Sequence, residues 1–260
     1  MAQNKVLMRK LLGLLIFLLP LSATAQDYSW ETIPMDGTRT AAVQSGKTKV
    51  KKSSSAAKVM KIVADAQPAM AKVKEVIGYS SEALSKDYPE SGLSNWTVDT
   101  IMEKVAQLSG KKVDVGFANF GGIRVDMPKG DILLDDILSM FPFRNNLVYL
   151  EHKGSTLRAI FEWMAAGKVQ PVGGVKMVVE NGKLSSLLIG GEPLDDDKVY
   201  VVATNSFLLA GGDGFYLSKD ALNEVIYEQL VQDAMLESIR KTQASGKPFE
   251  YKADGRVVIK

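Results

Sequence analysis

Residues 175–189 read Val-Lys-Met-Val-Val-Glu-Asn-Gly-Lys-Leu-Ser-Ser-Leu-Leu-Ile. Two runs of β-branched and aliphatic side chains, Val175 to Glu180 and Leu184 to Ile189, meet at Asn181-Gly182, a dipeptide that accepts the positive φ angles of a type I′ turn. An antiparallel hairpin follows, which rules out a purely parallel sheet for a chain whose other strands and helices alternate. Upstream, Val113 to Phe117 alternates as a strand, and Leu147 to Glu151 forms a second. The latter leads through Lys153-Gly154 to Ser155, the expected N-cap of a helix carrying Leu157, Ile160, Phe161 and Met164. Helical spacing also starts near Ala56 with Val59, Ile62 and Val63, breaks or kinks at Pro68, and resumes with Met70, Val73 and Val76. From Trp96 to Leu108 it places Val98, Ile101, Met102, Val105 and Leu108 on one face, with Gly110 as the stop, and a shorter helix is expected from Leu134 to Ser139. Downstream lie a strand at Val199 to Ala203, a loop from Thr204 to Phe215, a predicted helix from about Asn223 to Thr242, and a closing strand at Arg256 to Ile259. The fold class is α/β with α+β mixing: a mixed sheet with layered helices.

Of 260 residues, 46% are hydrophobic and 24% charged, a balance that supports a packed core. There is no cysteine, so disulfides, thiolate nucleophiles, cysteine-bound zinc and iron–sulfur clusters are excluded. At the N-terminus, Lys5, Arg9 and Lys10 precede an apolar run from Leu11 to Leu21, and Ala23-Thr24-Ala25 has the small-x-small pattern of a signal-peptidase site. The run is about half of the ~20 residues that a membrane-spanning helix needs, so residues 1–25 read as a cleaved signal peptide and the location as periplasmic or secreted. Removing its three basic residues turns a formal charge of +2 into −1, which gives no support for a nucleic-acid binder. Residues 26–56 are polar and aperiodic, with a basic run Lys47 to Lys52, and read as a flexible leader before a domain spanning 57–260.

Three segments combine glycine, an aromatic and a polar group where the chain leaves regular structure. In Asn119-Phe120-Gly121-Gly122-Ile123-Arg124 the paired glycines permit close backbone approach to a ligand, and the arginine suits a phosphate or carboxylate. Phe141-Pro142-Phe143, taken alone, reads as core. In Asn205 to Phe215 the sequence Gly211-Gly212-Asp213-Gly214 surrounds one acid with glycines, fit for a sugar hydroxyl, a metal or an elaborate turn.

In this order, and with Gly130-Asp131-Ile132 and Lys153-Gly154-Ser155-Thr156-Leu157 between them, the segments resemble the C-terminal domain of the 5′-nucleotidases. The resemblance runs from about Ala57 to Lys260 and includes Glu75-Val76-Ile77-Gly78-Tyr79-Ser80. It implies a four-layer α/β domain that binds the nucleoside part of a substrate, while a separate N-terminal metallophosphoesterase domain carries two metals and hydrolyses the phosphate. It further implies that Phe143 and Phe207 sandwich the base, that Asn119 meets the base edge beside Gly121 and Gly122, that Arg124 faces the phosphate, and that Asp213, next to Gly212, accepts from ribose hydroxyls. A nucleobase offers a π-face to stack on, and an ionised carboxylate only accepts hydrogen bonds. The chain departs from the family before Glu90 to Asn95, where a second phosphate-binding arginine is usual and Lys86-Asp87-Tyr88-Pro89 stands instead. Lysine is a point charge rather than a planar fork.

A two-metal phosphoesterase centre needs several histidines with aspartates and an asparagine, and this chain has a single histidine, His152, which reads as structural or exposed. Asp131/Asp135/Asp136 read as a helix N-terminus and Asp195-Asp196-Asp197 as a solvated turn. No Gly-x-Ser-x-Gly elbow or phosphate-loop motif is present. No catalytic or metal-ligating residue is therefore assigned, no cofactor is expected in this chain, and divalent metals are expected only in a partner. The sequence points to an exported nucleotide-recognition domain serving a separate metallophosphoesterase. A stand-alone nucleotide-binding or scavenging protein, or a hydrolase with an unrecognised site, are the alternatives. N-terminal sequencing of the protein recovered from native cells should begin near Gln26, in a fraction outside the cytoplasm; an intact Met1 would overturn the signal-peptide reading.

Overall fold

The computed structural model describes residues 55–260, so the signal segment and the leader up to residue 54 lie outside the described residues. The chain divides into two units, Met1–Gln67 and Pro68–Lys260. In the first, the described part belongs to helix α1, Ser55–Met70, which runs through Pro68 and ends two residues later rather than breaking there. The helical spacing expected to resume at Met70 does not: Val76–Ser80 is strand β1, paired antiparallel with β3, Gly130–Leu133. Among the described residues no helix is long and apolar enough to cross a membrane.

The second unit is layered. Its main sheet is built from β2 (Val115–Phe117), β4 (Asn146–Lys153), β5 (Val172–Gly173), β9 (Val199–Asn205) and β10 (Asn223–Leu230), in the order β10-β4-β9-β2-β5. Alternation along β4 sends Leu147 and Tyr149 to one core and Val148 and Leu150 to the other. The first core is closed by helices α2 (Gly92–Ser109), α3 (Leu134–Met140) and α6 (Val231–Ala244). The second is closed by helix α4 (Gly154–Ala166) and, beyond it, a four-stranded sheet. There the hairpin forms as predicted, β6 (Val175–Glu180) against β7 (Lys183–Ile189), with Asn181 at φ 52 and Gly182 at φ 72. Strands β8 (Glu192–Pro193) and β11 (Val257–Ile259) flank it, β11 parallel to β6. Helices, sheet, helix and sheet make four layers.

Two expected elements change. The helix predicted from Asn223 is strand β10 as far as Leu230, and α6 begins only at Val231. Edge pairing with β4 satisfies the backbone of β10, and Asp233 reaches back to the Leu230 N–H to start the helix. Ser155 is not an N-cap: α4 already begins at Gly154, whose N–H and that of Ser155 donate to Lys198 O and Asp196 O. A Cβ on Gly154 would meet Asp195 O at 1.9 Å, so this crossing demands glycine.

The C-terminal strand is latched to α2 through charge. Glu90 accepts N–H bonds from Asp254, Gly255 and Val257 at 2.6, 3.0 and 3.0 Å, and Asn95 Nδ2 at 2.9 Å. Arg256 forms a two-pronged pair with Asp99 at 2.7 and 2.9 Å, and Tyr251 donates to the same carboxylate at 2.5 Å. Glu90 and Asn95 thus tie the turn before β11 to the start of α2.

His152 is fully buried in β4, with Nε2 2.9 Å from the Leu217 carbonyl, to which it donates, and with Nδ1 without a hydrogen-bond partner among the described residues. Burial pushes its pKa below the ordinary value, against the opposing pull of Leu217 and Asp220. The unfolded chain takes up a proton near pH 6.5 that the buried ring refuses, so this contribution to stability is complete above that pH and declines as the pH falls. Urea unfolding between pH 7.5 and 5.5 should show a decline of at most about 1.4 kcal/mol per pH unit from this group. His152→Gln should be less stable at pH 7.5 and flatter across the range; an unchanged slope would refute the assignment.

Candidate functional site

Strand β9 runs antiparallel to β4, with Asn205 opposite Leu147, and parallel to β2, with Ala203 opposite Gly116. The segment before β4, the segment after β9 and the segment after β2 therefore leave the same end of the sheet. These are Phe141 to Phe143, Ser206 to Phe215 and Asn119 to Arg124, so the three segments singled out by sequence converge. The carboxyl ends of parallel strands are where open α/β sheets receive ligands. A narrow cleft here, lined by Asn119, Gly122, Phe143, Asn145 and Asn205 among others, holds about 20 Å³, room for one water.

After β2 the chain makes a 3₁₀ turn, Phe120–Gly122. Asn119 is buried and folds over Gly122, where a Cβ would stand 2.9 Å from its Oδ1. Asn205 Nδ2 lies 3.5 Å from the same oxygen, and Gln170 Oε1 accepts the Phe120 N–H at 3.0 Å. Arg124 is anchored through its backbone to Met140 O at 2.9 Å. Its guanidinium donates to Gly121 O at 3.3 Å and lies 5.8 Å from the centre of the Phe143 ring. The Lys86 ammonium donates to Ile123 O and approaches Phe120 O at 3.5 Å. Neither Lys86 nor Arg124 takes part in a salt bridge among the described residues, so both charges remain available to an anion.

The Phe-Pro-Phe segment divides between core and surface. Phe141 is 5% exposed and meets Trp96 edge-on at 5.9 Å, whereas Phe143 is 46% exposed. Asn146 binds the segment to its neighbour by donating from its N–H to Ser206 Oγ at 3.0 Å. Helix α5, Ser206–Leu209, is capped by Asn205, whose side chain accepts the Leu208 N–H at 3.1 Å. It projects Phe207, 40% exposed.

The glycine loop then folds beneath Phe207. A Cβ on Gly212 would lie 2.4–2.5 Å from three atoms of that ring, so the Phe207 ring fills the space that a side chain at Gly212 would take. Asp213 sits in the left-handed region at φ 52, which costs a non-glycine residue about 1 kcal/mol, and its exposed carboxylate has no hydrogen-bond partner among the described residues. Asn119, Gly122, Arg124 and Phe143 thus form one group, and Phe207, Gly212 and Asp213 another, tied together by Asn205 and Asn146. Sequence reasoning missed Asn205, although a cap immediately before Ser-Phe-Leu-Leu is a local signal, and missed Gln170, which carries none.

The residues do not fit a metal centre. Among the described residues no three or more His, Cys, Asp or Glu side chains are grouped to hold an ion, and His152 is committed to Leu217. Asp136 caps α3 through the Leu133 N–H at 2.7 Å, and Asp196 pairs with Arg158 at 2.8 Å.

The family model for 5′-nucleotidase, C-terminal domain, matches residues 38–220. A Yersinia enterocolitica protein, Protein UshA, is 30% identical over 160 residues, 60% of this chain and 29% of that protein. A 5′-nucleotidase-related protein of Glossina morsitans morsitans is 27% identical over 218 residues, 72% of this chain and 39% of that one. The crystal structure of a 5′-nucleotidase precursor from Thermus thermophilus superposes with a TM-score of 0.66 at 26% identity, covering 77% of this chain and 42% of that one. The chain thus spans less than half the length of each.

Packing in the glycine loop separates two glycines of similar sequence appearance. Gly212→Ala should destabilise by about 1–3 kcal/mol because its methyl displaces the Phe207 ring. Gly121→Ala, whose Cβ would be 3.5 Å from its nearest neighbour, should stay within about 0.5 kcal/mol. Urea unfolding of both, with the Gly212→Ala/Phe207→Ala pair recovering most of the loss, checks the contact.

Proposed function

Because this chain belongs to the 5′-nucleotidase C-terminal domain family, we propose that it is an exported nucleotide-recognition domain that works with a separate metallophosphoesterase in nucleotide breakdown. The observation that carries this reading is the exposure of Phe143 and Phe207 at one end of the sheet, beside Arg124 and Asp213. Neither ring belongs to a core, and each leaves surface free for stacking. On this reading a base lies between Phe143 and Phe207 with its edge toward Asn119, and the Gly121-Gly122 backbone allows close approach. Asp213, beside Gly212, accepts from the ribose hydroxyls, and Arg124 faces the phosphate.

Among the described residues no group of His, Asp or Glu side chains could hold the metals of the hydrolytic step, and on this reading the divalent ions are supplied by the partner. Binding energy gained at the nucleoside accelerates hydrolysis only if the reacting phosphate is held at those metals at the same time, so both components share one substrate geometry. Signal-peptide order in residues 1–25 supports an encounter in the periplasm or outside the cell. A scavenging protein that only binds is the alternative, and reconstitution separates the two.

Phe143→Ala and Phe207→Ala should each weaken nucleoside binding by about 1–3 kcal/mol in calorimetric titration, with little change in thermal midpoint. Mixed with an exported metallophosphoesterase, the chain should raise or redirect nucleotide hydrolysis, and Arg124→Ala should lower that rate about tenfold while nucleoside binding persists. No association and no change in rate would leave the scavenging protein as the better account.

A further inference from the structure

The glycine loop is braced by three rings, each seated on a different glycine. Phe207 lies on Gly212, as described. A Cβ on Gly211 would be 2.8 Å from Tyr216 Cε1, and one on Gly214 would be 3.0 Å from Trp163 Cζ2. Trp163 comes from α4, far along the chain, and is itself fixed: its ring meets Phe215 edge-on at 5.0 Å and 87°. Phe215 is 2% exposed and packs on Phe117 of β2 at 5.8 Å. A continuous row of rings thus runs from the second core through Phe215 and Trp163 to the backbone of Gly214, the residue after Asp213.

Asp213 has a left-handed backbone flanked by Gly211 at φ 96 and Gly214 at φ 81. A non-glycine residue keeps such a conformation only when its surroundings hold it. Within the loop, the Gly214 N–H donates to Gly211 O at 3.2 Å and the Phe215 N–H to Gly212 O at 3.0 Å, both spanning the turn. No hydrogen bond to the Asp213 side chain is found among the described residues; the two backbone bonds close the turn, and the Phe207 and Trp163 rings pack against the glycines on either side of it.

We infer that Trp163 is a positioning residue for Asp213: packed against Gly214 and backed by Phe215, it holds the acid in the left-handed turn that presents it to a ribose, and so sets the preference for ligands with free ribose hydroxyls. The inference rests on the proposed nucleoside reading of this site. Trp163 touches no ligand on this account and acts through the loop. It is 47% exposed, so its replacement leaves both cores largely intact.

The experiment is a titration of wild type, Trp163→Leu, Asp213→Ala and the double variant with a nucleoside and its 2′,3′-dideoxy analogue. Wild type should favour the nucleoside, and Trp163→Leu should lose roughly tenfold in nucleoside affinity, one hydrogen bond's worth, with unchanged affinity for the dideoxy analogue. The double variant should bind no more weakly than Asp213→Ala alone. Thermal unfolding monitors the fold, and amide exchange at Gly214 and Phe215 should quicken in Trp163→Leu. Equal losses for both ligands, or additive losses in the double variant, would overturn the positioning role while leaving the nucleoside site standing. If wild type binds neither ligand, the nucleoside reading itself falls and takes this inference with it.

Discussion

The pairing of β9 with β4 on one side and β2 on the other is the constraint from which the site follows. A strand has two neighbours, and these have opposite directions: β4 antiparallel, β2 parallel. One end of β9 therefore stands beside the start of β4 and the end of β2. Segments that are separate in sequence must emerge together, and a one-residue slip would turn the faces of the strands over and exchange the two cores. Because Leu147 and Tyr149 are committed to one core and Val148 and Leu150 to the other, such a slip is heavily penalised. The polar loops inherit their placement from apolar packing beneath them.

The latch at Glu90 and Arg256 extends this logic to the chain's end. A carboxylate that accepts several backbone N–H groups gathers the turn before β11, and the buried guanidinium of Arg256 finds two carboxylates instead of one. Removing Arg256 would leave two carboxylates without their cation, whereas removing either carboxylate leaves the guanidinium the other. The closing strand, α2 and the four-stranded sheet are thereby joined through charge, where the hydrophobic surface of a three-residue strand would be meagre.

Local chemistry is legible in the sequence where it is self-contained. Asn181-Gly182 announces its hairpin, and Gly110 its helix end at φ 67, because each needs only a few neighbouring residues. The stretch from Asn223 reads as helix although it begins as a strand, because that strand is an edge, exposed on both faces, without the period-two alternation of a half-buried strand. Its pairing with β4 is a tertiary fact that no local pattern carries. The same limit applies to the site. Phe141 and Phe143 look alike in sequence, yet one is core and the other surface, since the chain turns between them to enter β4. The glycines of Gly211-Gly212-Asp213-Gly214 are legible as conformationally special, but the rings that rest on them come from residues 163, 207 and 216. Glycine here makes room for aromatic side chains of the protein itself, which differs from the close ligand approach that a glycine run first brings to mind.

Lys86 lies in the stretch where the resemblance places a second phosphate-binding arginine, and its ammonium sits beside the Asn119–Arg124 turn. An arginine fork at this place would have donors to spare for an anion after meeting a carbonyl. A lysine ammonium has three, and here it is turned toward the carbonyls of Phe120 and Ile123. Its charge still lies beside the Asn119–Arg124 turn, but as a diffuse attraction rather than a two-pronged grip. Arg124, by contrast, donates from its side chain only to Gly121 O among the described residues and lies over the Phe143 ring, so on the proposed reading the directional recognition of an anion falls to it. On the proposed reading, the base is then held by stacking and the ribose by hydrogen bonds to Asp213, while the phosphate is held loosely by this chain. On that reading a loosely held phosphate leaves its positioning to another component, and binding that is equal in ground and transition states would not speed the chemical step.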